Sequence, residues 1–194
     1  GFNFHRENII DIPRADFNKK VEEVKVIKEE MDITQGKLVM GFRCNVDYKD
    51  EFKYYSLFVG SNVLGGGPHS KLFVNVREKE ILCYYIYSSL EKYKTSMFIS
   101  SGIESANYDK TIELIQEQLK YLKEGQISDE ELLNSKSAII SSLKSIKDSI
   151  GGASDFYFSQ TMGKTNSTVE KIIEMIEKIT VEDIVDAVKN IELD

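Results

Sequence analysis

The chain has 194 residues, with 25 basic and 32 acidic side chains, a net charge of −7 and 41% hydrophobic residues. That length suits one globular domain with or without a short leading arm, and the hydrophobic share can fill a core. The acidic balance argues against nucleic acid, whose phosphates call for clustered Lys and Arg, and no apolar run approaches the roughly 18 residues of a membrane span.

The start, Gly1-Phe2-Asn3-Phe4, has neither the basic nor the apolar region of a signal peptide and no initiator Met, as expected for a segment of a longer chain. Residues 1–22 are polar and broken by Pro13, which predicts a linker or the tail of a preceding domain, with the domain proper over 23–194. Val21, Val24 and Val26 suggest a first strand leading into Met31-Asp32-Ile33. Leu38, Met40 and Phe42 alternate with Val39, Gly41 and Arg43 and predict a second. A helix is expected from Asp50, with Tyr54, Leu57, Phe58 and Val63 on one face and Gly65 as its stop. Gly65-Gly66-Gly67-Pro68 must turn, and a short helix resumes near Ser70 with Leu72, Phe73 and Val76 inward.

Ile81 to Tyr87 and Thr95 to Ile103 are β-branched and aromatic and flank the charged Glu91-Lys92-Tyr93-Lys94, the pattern of an antiparallel hairpin. Beyond it the period becomes helical. Ile112, Ile115, Leu119 and Leu122 share a face that ends at Gly125, and Ser128 with Glu131 forms a capping box. The next stripe is Leu132, Ile139, Leu143, Ile146 and Ile150, stopped by Gly151-Gly152. Two more amphipathic segments follow, around Ile172 and Ile176 and then around Ile184 and Val188. Strands first and helices after predict an α+β fold, a mixed, mostly antiparallel sheet with helices packed on one face.

Three features share one continuous stretch. Gln35-Gly36-Lys37-Leu38 opens a strand, Val63-Leu64-Gly65-Gly66-Gly67 ends a helix, and Pro68-His69-Ser70-Lys71-Leu72-Phe73 is followed by Val76-Arg77-Glu78-Lys79 and Leu82-Cys83-Tyr84-Tyr85. In order and spacing this resembles the C-terminal domain of the pitrilysin/insulysin/mitochondrial processing peptidase family, over about residues 25 to 190. It is most similar to the bacterial members that lack the zinc motif.

The resemblance implies that Arg77 and Tyr84 reach across a chamber toward a zinc site on the other half of a clam shell. There they hold peptide and stabilise the oxyanion formed when water attacks a carbonyl. Tyr85 competes with Tyr84, because strand alternation puts one of the two on the chamber side. It further implies a final strand after the last helix; the chain stops at Asp194, so that edge strand is expected to be absent or truncated.

The family's zinc motif pairs two histidines and a glutamate on one helix. The two histidines here, His5 and His69, have no such setting, so no metal and no cofactor are expected in this chain. His69 reads as a turn or capping residue. Ser70 has no assignable His and carboxylate partners, and Gly163-Lys164-Thr165 lacks the leading glycine of a phosphate loop, with Phe158 in its place. Cys44 and Cys83 read as buried reduced thiols of a cytoplasmic protein.

The function expected is therefore the substrate-binding, non-zinc half of a metallopeptidase, inactive alone. Its partners would be an unfolded peptide and a zinc-bearing domain or homologous subunit. The alternative is an inactive scaffold or peptide-binding module.

Overall fold

The computed structural model describes residues 20–194. Most of the predicted arm, with His5 and Pro13, lies outside the described residues. Strand β1 spans Gly36–Arg43, β2 Cys83–Glu91, β3 Ser96–Ile103 and β4 Glu192–Leu193, in the sheet order β2-β3-β1-β4. Each of these ladders is antiparallel, so the sheet is not mixed among the described residues. Period-two alternation divides its faces: Leu38, Met40 and Phe42 of β1 and Met97, Ile99 and Ile103 of β3 are buried, whereas Val39 and Phe98 are exposed.

Helix α1, Glu51–Gly65, is capped by Asp50, whose carboxylate accepts the Lys53 N–H. It lays Leu57 and Leu64 against the buried sheet face. Helices α2 (Tyr108–Lys123), α3 (Asp129–Ser145), α5 (Val169–Lys178) and α6 (Val181–Val188) complete that layer with Ile115, Leu122, Ile139, Ile172, Ile176 and Ile184. The close approach of α1 and α6 needs Gly60, where a Cβ would stand 2.9 Å from Ile184 Cγ2. Gly125, with φ of 74°, ends α2 as expected.

Several expectations are corrected. Residues 20–35 form no helix or strand, and Val24, Val26 and Ile27 are exposed. An alternating apolar run becomes a strand when a ladder partner is in reach, and the Val21 N–H donates instead to the Glu192 carboxylate. Gly151-Gly152 do not stop a helix. They open another, α4 (Ile150–Gly163), because the Ser149 hydroxyl caps it by accepting the Gly152 N–H at 3.1 Å. Ile150 accordingly faces solvent at 93% exposure rather than the core. A short strand does follow the last helix: β4 pairs with Phe42 and Arg43, and the Asp194 N–H donates to the Gly41 carbonyl at 2.9 Å.

Both thiols are buried. Burial pushes the Cys44 thiol up to about 12, which removes it as a nucleophile at neutral pH.

The predicted capping box forms, with the Glu131 N–H donating to Ser128 Oγ at 3.1 Å and the Ser128 N–H donating to Glu131 Oε2 at 2.8 Å. The same carboxylate receives Lys71 Nζ at 2.9 and 3.0 Å, and the Lys71 side chain is only 8% exposed. Glu131→Ala removes half a cap and strands a buried ammonium, so it should cost about 3 kcal/mol. Lys71→Met removes the charge and keeps the volume, and should cost less than about 1 kcal/mol. Urea unfolding of both variants checks this, and equal losses would refute the role given to the ion pair.

Candidate functional site

Ser70 is buried, and its hydroxyl accepts the Phe73 N–H at 3.4 Å. It caps the short helix after the glycine turn and has no nucleophilic setting. From Phe73 to Lys79 that helix is π-helical, a geometry found often at functional sites. Leu72 and Val76 are fully buried as expected. Phe73 is not wholly inward: the Arg77 guanidinium lies over its ring, 4.5 Å from the centroid.

The ladder places Cys83 opposite Ile103 and Tyr85 opposite Gly102, so Tyr84 is an extra residue, a β-bulge. Two consequences follow. The Tyr84 carbonyl accepts Arg77 Nε at 2.9 Å, which joins the two residues named from the sequence. The alternation argument between the tyrosines also fails, because a bulge breaks the period: Tyr84 is 55% exposed and Tyr85 is 37% exposed. They differ in setting, with Tyr84 beside Arg77 at the head of the strand and Tyr85 on the open sheet face.

The Tyr84 hydroxyl donates to Glu104 Oε1 at 3.1 Å. That hydrogen bond, reinforced by the carboxylate's charge, pushes the phenol's pKa up, so it stays a protonated donor. Arg77 Nη1 also donates to Glu78 at 3.1 Å, and its side chain remains 35% exposed. Sequence reasoning missed Glu104, Glu78 and the role of Phe73. Phe73 stands four residues before Arg77, a helical neighbour spacing that was a usable signal. Glu104 becomes visible only once the register sets the end of β3 beside the bulge.

Arg77 and Tyr84 lie on an open surface. A cleft of about 340 Å³ between the glycine turn and α3 is lined by His69, Asn75, Lys79 and Glu130 and includes neither of them. His69 Nε2 reaches back across the turn to Asn62 Oδ1 in the last turn of α1, at 3.3 Å. Among the described residues no three His, Cys, Asp or Glu side chains gather in a way that suits a metal. Lys164 ends α4 in a left-handed conformation, so Gly163-Lys164-Thr165 is a helix terminus. No helix among the described residues is long and apolar enough to cross a membrane.

Comparison with known proteins gives a consistent picture. The family model described as "Peptidase M16 inactive domain" matches residues 5–139. The protein named "Probable inactive metalloprotease YmfF" of Bacillus subtilis is 37% identical over 177 residues, covering 91% of this chain and 41% of that protein. A conserved protein from Enterococcus faecalis V583 superposes with a TM-score of 0.78 at 30% identity, over 89% of this chain and 42% of the other. The peptidase M16 inactive domain from Pseudomonas fluorescens, at 24% identity and a TM-score of 0.67, shares the fold over 82% of this chain and 38% of its own. The chain thus spans less than half the length of each of these three proteins.

Proposed function

The chain belongs to the family of peptidase M16 inactive domains, and from that premise we propose that it is the substrate-binding, non-zinc half of a metallopeptidase. Arg77 and Tyr84 would hold an unfolded peptide against a zinc site carried by another domain or subunit. The observation that carries this reading is the seating of Arg77. Its guanidinium lies over the Phe73 ring with Nε on the bulge carbonyl, next to a phenol kept protonated by Glu104. The guanidinium is thereby preorganised toward a carbonyl oxygen that gains negative charge during attack, and the phenol would join it by turning its O–H away from Glu104. Their exposure suits a half-site completed from outside.

A second reading, an inactive scaffold or peptide-binding module, is favoured by a different observation. Arg77 and Tyr84 already have acceptors inside the chain, in Glu78 and Glu104, and so do not require a substrate. Cleavage of an unfolded reporter peptide by the full-length protein, with zinc content measured alongside, separates the two. Stoichiometric zinc, with turnover that depends on Arg77, supports the first reading. Peptide binding with neither zinc nor cleavage, even beside a zinc-bearing homologue, establishes the second.

A further inference from the structure

The sheet face turned away from the helices is paved with aromatic rings. Tyr85 lies over Gly102, where a Cβ would fall 2.5 Å from its Cε1, and Phe98 lies over Gly41, where the gap would be 3.5 Å. Two strand glycines thus give the rings a floor, and any larger side chain at Gly102 would lift Tyr85 off it. Tyr87 stacks beside Tyr85 with centroids 6.0 Å apart and planes at 27°. Val39, level with Tyr87 through Ser100, continues the surface at 61% exposure. Lys37 shares the Gly102 row with Tyr85 and makes no ion pair among the described residues, an unneutralised cation on a chain of net charge −7. The bulge that holds Tyr84 and Arg77 adjoins that row.

From this geometry we infer that the paved face is a subsite for an extended peptide carrying bulky apolar side chains at alternate positions and a carboxylate toward Lys37. The inference deepens the proposed function and rests on it for the choice of a peptide as occupant. Spacing supports it, because alternate side chains of an extended chain recur about every 7 Å, close to the separation of the Tyr85 and Tyr87 rings. Charge supports it too, since Lys37 supplies an ammonium without an ion-pair partner among the described residues at one end of an otherwise apolar strip. Aromatic rings bring large contact area at low entropic cost.

This chain has no Trp, so the fluorescence of a Trp-containing peptide reports on the peptide alone. The probe is acetyl-Glu-Trp-Ser-Phe-Ser-amide, whose two rings stand two positions apart. Its controls are the same peptide with Lys for Glu and an isomer with Trp and Phe adjacent. Saturable binding of the probe, weaker for both controls, is expected. Tyr85→Ala and Tyr87→Ala should each weaken it about tenfold, and Lys37→Glu should reverse the preference between the acidic and basic probes. Tyr87 and Lys37 are exposed, so variants there keep the fold and circular dichroism verifies it.

Unchanged affinity in the tyrosine variants overturns the inference while leaving Arg77-dependent cleavage standing. Probe binding that persists when cleavage proves independent of Arg77 removes the proposed function and keeps the subsite. A light-scattering mass that falls from dimer to monomer in Tyr87→Ala would show that a second copy covers the face, which also overturns it.

Discussion

Arg77→Ala, in the assembled peptidase, is expected to lower turnover about 100-fold, the scale of losing one oxyanion donor. The loss should fall mainly on kcat, because the guanidinium matters most where charge develops. Arg77→Lys should rescue little. A lysine has no planar group to lie over Phe73 and no Nε to anchor on the Tyr84 carbonyl while terminal nitrogens remain to donate elsewhere. Phe73→Leu leaves the charge and removes the ring beneath it, so it should give a smaller loss that reflects misplacement alone. Steady-state kinetics on an unfolded peptide distinguish these cases. Unchanged kcat in Arg77→Ala would take the residue out of the mechanism and leave the scaffold reading.

Gly65→Val is expected to destabilise the fold by about 3 kcal/mol, at the upper end of overpacking losses. A Cβ at Gly65 would stand 2.5 Å from the Ser88 backbone nitrogen, and a rotamer change cannot move backbone. Helix α1 would have to lift from β2. Lifting it stretches the bonds that close this junction, from Ser88 Oγ to the Ser61 carbonyl at 2.6 Å and between the two hydroxyls at 3.1 Å. Gly67 is the contrast within the same glycine run, since a Cβ there meets only the His69 ring, at 3.4 Å. Gly67→Ala should therefore cost less than about 1 kcal/mol. Chemical denaturation of the pair tests the argument, and similar midpoints would defeat it.

Sequence reading succeeds where the neighbourhood is local: the glycine run ends α1 as expected, and Arg77 meets the Tyr84 carbonyl within one contiguous motif. Caps read equally well: Asp50 and Ser128 begin their helices as expected because a cap involves residues three apart. Failures arose where tertiary partners decide. The run from Val21 to Ile33 has a strand's pattern but meets no ladder. Two glycines after Ile150 suggest a break, yet a serine one residue earlier starts a helix. The bulge at Tyr84 depends on the register between β2 and β3, which no residue of β2 reveals alone. Glu104, and the pairing of Tyr85 with Gly102, became visible only with that register.

The sheet order carries a consequence for the time course of folding. Strands β2 and β3 are joined by a tight turn, whereas β1 must find β3 from Gly36 to Ile103, and β4 must find β1 from Phe42 to Leu193. Closing longer loops costs more entropy before any contact repays it, and distant pairings slow folding. The hairpin is therefore expected to nucleate, β1 to join it with α1 beneath, and β4 to zip on last. Conservative truncations should report this order, with Ile99→Val slowing refolding and Leu193→Ala mainly hastening unfolding. The reverse pattern in a chevron experiment would place the nucleus elsewhere.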